Sequence, residues 1–283
     1  MIKKLFTFLS VLGIFLGCSK DTHVQIPSYI HIDSYHTKVT LSRGTSNQNF
    51  TDMLVYANGQ TYGTYPLGAR IPVLTSGPTS FIIRGVVRMN GLDILRADYE
   101  VMKGCDTTIN VSPGKVTEVV PVFEYFSTAK FAWIANFDND SGFYGPTLQA
   151  SCLCKTSTAL TYSPGFGGTG SCLALRPNSD TTASVQTNSA VTNLPAGGVG
   201  VYMEFNYLSN VTIHVYVSVP GGGLTDCGGI YPKATWSKMY LNLTEQISTL
   251  QAGNYTFYFI AAYEGNAGGD QALIDNIKVV TAQ

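Results

Sequence analysis

Apolar and polar positions alternate with a period of two along most of this chain, and that period predicts strands. Residues 28–33 alternate Tyr and Ile with Ser, His and Asp. Residues 52–57 and 60–65 do the same on either side of Asn58-Gly59, the dipeptide that most strongly predicts a two-residue hairpin. Residues 38–42, 70–74, 79–88, 106–111 and 117–123 supply further strands, with turns at Asn90-Gly91 and at 112–115. After residue 126 a second series opens on the aromatic stretch 131–137. The Gly-, Ser- and Thr-rich stretch 138–198 predicts loops and short strands. Residues 199–207 and 211–219 are separated by Leu208-Ser209-Asn210 and predict a tight hairpin. Residues 238–243, 255–262 and 271–280 complete the set, and 244–250 predicts one helical turn.

No other part of residues 18–283 sustains a helical period, and no repeat relates the two series. The expectation is an all-β protein. Short strands punctuated by regular turns predict an immunoglobulin-like β-sandwich over residues 28–126. A second β-sandwich is expected over residues 128–283.

The first residues follow a different rule. Lys3 and Lys4 precede an apolar run at 5–16, too short to span a bilayer and of the right length for a secretory signal. Gly17-Cys18 then resembles the lipobox of bacterial lipoproteins. The resemblance implies a signal peptide over 1–17, acylation (palmitate among the chains) at Cys18, and a lipidated tether over 18–27. Several acyl chains give stable anchoring where one does not. The expected location is the outer membrane, on the cell surface.

Composition agrees with export. Only 12% of residues are charged, 45% are hydrophobic, and 17 Tyr and 14 Phe favour strands. A formal net charge of −1 with no dense basic patch argues against nucleic acid as a partner. Beyond Cys18, Cys105 stands apart and Cys152, Cys154, Cys172 and Cys227 are candidates for disulfides in an oxidising compartment. Four cysteines allow three pairings, and sequence does not choose among them.

Catalytic constellations are scarce. No Gly-x-Ser-x-Gly and no His-Glu-x-x-His occurs, so no catalytic residue is assigned. His31 and His36 fall on opposite faces of an extended strand, and His214 alternates with Thr212 and Tyr216 on a solvent or groove face. Aromatic faces stack on sugar rings while carboxylates and amides read hydroxyls, which makes Tyr207, Tyr216, Trp236, Tyr263 and Glu204 candidates for glycan binding, with Asn206 and Glu264 of similar chemistry. Asp106-Thr107-Thr108 and Asp180-Thr181-Thr182 match a short bacterial O-glycosylation pattern, placing candidate sites at Thr107 and Thr181.

The second series resembles the galactose-binding-like jelly rolls of exported bacterial proteins. The resemblance rests on the strand leading to Phe137-Asp138, the stretch Trp236 to Thr244, and the terminal stretch Ile274-Asp275-Asn276-Ile277-Lys278-Val279. It implies a jelly-roll sandwich in which an ion can bridge first and last strands. Asp138, Asp140, Asp270 and Asp275 are the candidates to hold such a structural calcium, and no other cofactor is implied. The first series is similar to a family of lipoproteins of the phylum Bacteroidota, through Phe50-Thr51-Asp52, residues 55–60, 69–74 and Met89-Asn90-Gly91. That resemblance implies no activity. The reading is a non-enzymatic surface lipoprotein that binds a glycan or an outer-membrane protein partner, or is a subunit of an outer-membrane assembly. The alternative is a β-fold glycoside hydrolase or another surface enzyme, which would need two opposed carboxylates.

Overall fold

The computed structural model describes residues 25–138, 148–150, 158–179, 182–250 and 253–282. Cys18, Asp140, Cys152, Cys154 and Thr181 lie outside the described residues. The fold is all-β, as the alternation predicts, and is built from sheets packed as β-sandwiches.

The first strands are β1 (Ser28–His31), β2 (His36–Lys38), β3 (Asp52–Ala57), β4 (Gln60–Pro66), β5 (Arg70–Val73) and β6 (Gly77–Arg88). They are followed by β7 (Arg96–Asp98), β8 (Met102–Lys103), β9 (Cys105–Val111), β10 (Val116–Glu118) and β11 (Val122–Tyr125). One sheet runs β4-β3-β6-β7, with β9 also on β6. Two three-stranded sheets, β10-β1-β5 and β2-β11-β8, complete this unit. The pairings of β1 with β10 and of β2 with β11 are parallel. The Asn58-Gly59 hairpin forms as predicted: both residues take positive φ, and Ala57 pairs with Gln60. Phe50, Phe123 and Tyr35 meet edge-on or tilted in the core, with ring centroids 5.0–5.8 Å apart. Gly85 makes room for them: a Cβ there would stand 2.7 Å from the Phe50 ring.

The second series gives β12 (Lys130–Ala135), β13 (Leu148–Ala150), β14 (Thr158–Tyr162), β15 (Cys172–Leu175), β16 (Ala183–Thr187) and β17 (Val191–Thr192). Then come β18 (Val201–Ser209), β19 (Ile213–Ser218), β20 (Thr225–Ile230), β21 (Lys233–Asn242), α1 (Thr244–Leu250), β22 (Asn254–Ala261) and β23 (Ala272–Thr281). One sheet runs β14-β15-β23-β18-β21, with β12 also on β23. The other runs β13-β16-β22-β19-β20, with β17 also on β22. Trp133, Met203, Phe205, Val215, Phe257, Phe259 and Val279 fill the space between them.

The hairpin expected at residues 208–210 is not formed. β18 pairs with β21 and β23, whereas β19 pairs with β20 and β22 in the opposite sheet. The connecting turn is fixed by Ser209, whose hydroxyl donates to the Val211 carbonyl at 2.6 Å and accepts from its N–H at 3.1 Å. Asn210 ties the same turn to the start of the last strand, accepting from the Gln271 N–H at 2.7 Å. Local pattern cannot distinguish this crossing from a hairpin, because both need a polar turn between two alternating strands.

The sheet holding β18 and β23 is buried on both faces over much of its length. Every residue of β23 is buried, and all but one of β18. One face belongs to the second sandwich; from the other, Tyr202, Tyr240 and Val280 join the core of the first.

Candidate functional site

The other sheet presents a different surface. Along β19, Ile213, Val215 and Val217 point into the sandwich while His214 and Tyr216 point out, half-buried. Along β22, Tyr255, Phe257 and Phe259 point in while Thr256, Tyr258 and Ile260 point out. Registers align these outward residues across the sheet. Gln186 pairs with Tyr258, Tyr258 with Tyr216, and Tyr216 with Asp226. An amide, two phenols and a carboxylate thus form one row across four strands, roughly 14 Å long at ordinary strand spacing.

The row is supported from its own face. His214 stacks on Tyr216, with centroids 6.0 Å apart and planes 20° from parallel. Opposite His214 lies Gly229, where a Cβ would make ordinary van der Waals contact with the imidazole at 3.4 Å. The Ser218 hydroxyl donates to the Tyr258 hydroxyl at 3.3 Å. His214 Nδ1 is buried without a hydrogen-bond partner. None of these outward residues belongs to a described apolar core.

The glycan candidates chosen from sequence are scattered by the fold. Tyr216 lies in the row. Tyr263 is half exposed in the loop after β22, beside Gly265. Trp236 sits on the opposite sheet, edge-on to Phe166 at 5.7 Å. Tyr207 is not on a surface: it is 3% exposed and packs in the second sandwich core. Glu204 is not on a surface either, and Asn206 is buried beside it. Glu264 receives the Thr212 N–H at 2.7 Å and so holds a loop. Sequence reasoning missed Tyr258, because alternate aromatics in β22 resemble core positions until the partner strand is known.

Glu204 forms the centre of a polar network where the two sandwiches meet. Its carboxylate stands 2.9 Å from Lys238 Nζ, with both side chains almost wholly out of water. From the first sandwich, Tyr99 (3.2 Å), Gln48 (3.0 Å) and Tyr125 all donate to Glu204. Burial alone would raise the Glu204 pKa, but Lys238, Lys278 and the Tyr125 hydrogen bond outweigh it and hold the carboxyl at about 2. Burial pulls Lys278 down to about 8 against the attraction of Glu204. Its ammonium donates to the Thr45 carbonyl at 2.6 Å and to the Tyr125 hydroxyl at 3.3 Å. Burial also pushes the Tyr99, Tyr125 and Tyr240 phenols well above their usual range.

The candidate calcium ligands do not converge. Asp270 and Asp275 lie five residues apart around β23, roughly 16 Å at extended spacing. Asp270 caps the turn after β22, accepting from the backbone N–H groups of Glu264, Gly265 (3.1 Å) and Asn266 (2.8 Å). Those donors hold its carboxyl below the usual range although burial opposes them. Asp138 and Asp275 both hold the loop after Pro164 and lie near enough to act on one another electrostatically. Asp138 receives the Ser171 N–H at 2.7 Å and Asp275 the Phe166 N–H at 2.9 Å. Burial raises Asp275 to about 6, with Asp138 adding to the effect. Its second oxygen accepts from the Asn276 N–H at 2.7 Å, so both oxygens serve the fold. Among the described residues, no group of three His, Cys, Asp or Glu side chains is placed to hold an ion.

The disulfide candidates are corrected in part. Cys172 and Cys227 both carry free thiols, as does Cys105. Cys172 lies on β15 and Cys227 on β20, in opposite sheets, and burial pushes each thiol up to about 12. Thr107 lies within β9, half-buried and opposite Phe81 on β6, while its neighbour Thr108 is exposed.

No family model matches this chain, and no curated protein matches it. Among solved structures, a family 29 carbohydrate-binding module is similar over 54% of this chain and 89% of its own, at 15% identity and a TM-score of 0.35. A mutant of such a module complexed with mannohexaose is similar over 54% of this chain and 92% of its own, at 14% identity and a TM-score of 0.36. The enzymatically active domain of bacteriophage CBA120 tailspike protein 4 matches over 51% of this chain and 20% of its own, at 14% identity and a TM-score of 0.36. At such scores these likenesses carry no argument about what this chain binds.

Proposed function

We propose that this chain is a glycan-binding lipoprotein of the bacterial cell surface, held in the outer membrane through lipid on Cys18. The open face of the second sandwich is its binding surface. One observation carries the reading: the row Gln186, Tyr258, Tyr216 and Asp226 lies on a sandwich face whose outward side chains are taken up by no described core. The opposite sheet buries its corresponding tyrosines against the first sandwich, so aromatic content alone does not distinguish the two faces. Phenol faces set in a row suit the faces of successive sugar rings, and the flanking amide and carboxylate suit their hydroxyls. The face offers a platform and hydrogen-bonding groups, which is binding chemistry rather than bond cleavage.

The test is a glycan array probed with the full-length protein, followed by titration calorimetry on any positive polysaccharide. Binding that is lost in Tyr216→Ala and Tyr258→Ala supports the reading. Absence of binding to every polysaccharide, together with stoichiometric co-purification of an outer-membrane protein, overturns it in favour of an assembly subunit.

A further inference from the structure

The opposite sheet of the second sandwich carries a feature that the open face does not use. β15, β23, β18 and β21 lie side by side, and their registers set Leu175, Ala272, Ser209 and Lys233 in one line. Arg176 follows Leu175, so the Arg176 and Lys233 backbones stand about three strand spacings apart, roughly 14 Å. Between them runs a cavity of about 410 Å³ whose walls include Leu208, Ser209, Asn210 and Gln271. A smaller cavity of about 150 Å³ shares Lys233 and continues to Lys238 and to Arg88 of the first sandwich. The two form a trough along the strand ends and onto the domain junction.

Its charges are unevenly matched. The Arg176 guanidinium lies 4.3 Å from the centre of the Tyr162 ring. With the Gln271 amide turned so that its oxygen faces the guanidinium, Nε and Nη2 donate to that oxygen at 2.8 and 3.0 Å. These contacts orient the arginine without neutralising it. Among the described residues no carboxylate pairs with Arg176 or Lys233. Of the acids on the walls, Asp93 is paired with Arg88 at 2.5 Å, while Asp270, held by three backbone N–H groups, keeps its charge, so the larger cavity carries two cations against one carboxylate.

We infer that this trough binds an acidic polysaccharide. Carboxylate or sulfate groups on non-adjacent sugars pair with Arg176 and Lys233 across the cavity. Arg176 and Lys233 enter the cavity from β15 and β21, with β23 and β18 between them, a placement that suits a chain repeating its charge. Arg176 supplies a planar fork for a carboxylate or sulfate, and Lys233 a mobile point charge. A nucleic acid would need a denser track of positive charge than this.

The test uses the full-length protein with an oligogalacturonate and with its uncharged methyl ester. A single-stranded DNA oligomer and vesicles of an anionic phospholipid serve as rival polyanions. The oligogalacturonate is expected to bind at low salt and to weaken as salt rises, with the ester at least about tenfold weaker. Lys233→Gln is expected to weaken binding about tenfold, the scale of losing one charge-assisted hydrogen bond, without moving the melting temperature. Arg176→Lys keeps the charge and loses the fork, and is expected to cost several-fold. Equal binding of the ester, unchanged binding by Lys233→Gln, or binding of DNA or vesicles in place of the oligogalacturonate would overturn the inference. Tyr216→Ala separates it from the open face: oligogalacturonate binding that depends on Tyr216 and not on Lys233 sinks the trough and leaves the face standing.

Discussion

Glu204 and Lys238 meet at 2.9 Å in the seam between the two sandwiches, and neither side chain reaches water. Two charges are buried at that seam only because they are buried together. Lys278, on the strand paired across from Glu204, adds a second cation to the same carboxylate. Removing one member therefore strands the others.

Glu204→Gln is expected to destabilise the protein by about 3–5 kcal/mol, the usual cost of leaving a buried charge without its counter-ion. For a chain of this size that lowers the melting temperature by roughly 10 °C. A thermal melt that moves by no more than a degree or two would show that water already reaches the seam.

The same carboxyl sets part of the acid response. Its pKa falls from an ordinary 4.5 to about 2 in the folded chain. Its contribution is therefore fully present above pH 4.5 and is lost as pH falls through about 2. Denaturant titrations across that window should lose this slope in Glu204→Gln.

Asp275 acts with the opposite sign. Folding raises its pKa from 3.8 to about 6, so its contribution is full below pH 3.8 and is lost as pH rises through about 6. Asp275→Asn is expected to flatten the stability profile between pH 4 and 6, read from denaturation midpoints. An unchanged slope would mean that the carboxyl is not held in its buried place by the Phe166 and Asn276 N–H groups.

Buried thiols should be silent. Cys172 is wholly buried and Cys227 nearly so, and both thiols are pushed up to about 12. Maleimide at neutral pH is expected to leave both unmodified in the native protein and to label both after denaturation, because the thiolate is the reactive form. Mass spectrometry of the digested product reads the result, and a Cys172–Cys227 cross-link would contradict their places in opposite sheets.

On the open face, Tyr216→Ala and Tyr258→Ala are each expected to weaken glycan binding about tenfold while leaving the melting temperature within a few degrees. Both rings are half-buried and stand outside the sandwich core. Tyr207→Ala should behave in the reverse manner, costing about 3–5 kcal/mol of stability as a core aromatic. If Tyr207→Ala were stable and Tyr216→Ala unfolded, the assignment of inside and outside on these strands would be reversed.

The alternation of residues 28–33 and the Asn58-Gly59 turn are local facts, and the strands and hairpin they predict are present. The same kind of pattern misplaced Tyr207 and Glu204. β18 is covered on both faces, so neither parity of its residues points to solvent, and a glutamate on it reads as exposed until Lys278 of β23 is found opposite and Lys238 of β21 reaches it diagonally. The crossing at Ser209 escaped for a related reason, since a polar turn serves a hairpin and a change of sheet equally well.

By itself, the sequence determined the all-β class, the positions of most strands and turns, and the scarcity of catalytic groups. These follow from side-chain period and from the backbone demands of Asn and Gly, which act over a few residues. Tertiary structure decided which aromatics face outward together, which acids meet lysines, and which cations are left without partners. Those outcomes depend on strand register and on which sheet faces are covered by distant parts of the chain. Gln186, Tyr216, Asp226 and Tyr258 span 73 residues of sequence, 186 to 258, and become neighbours only through three strand pairings.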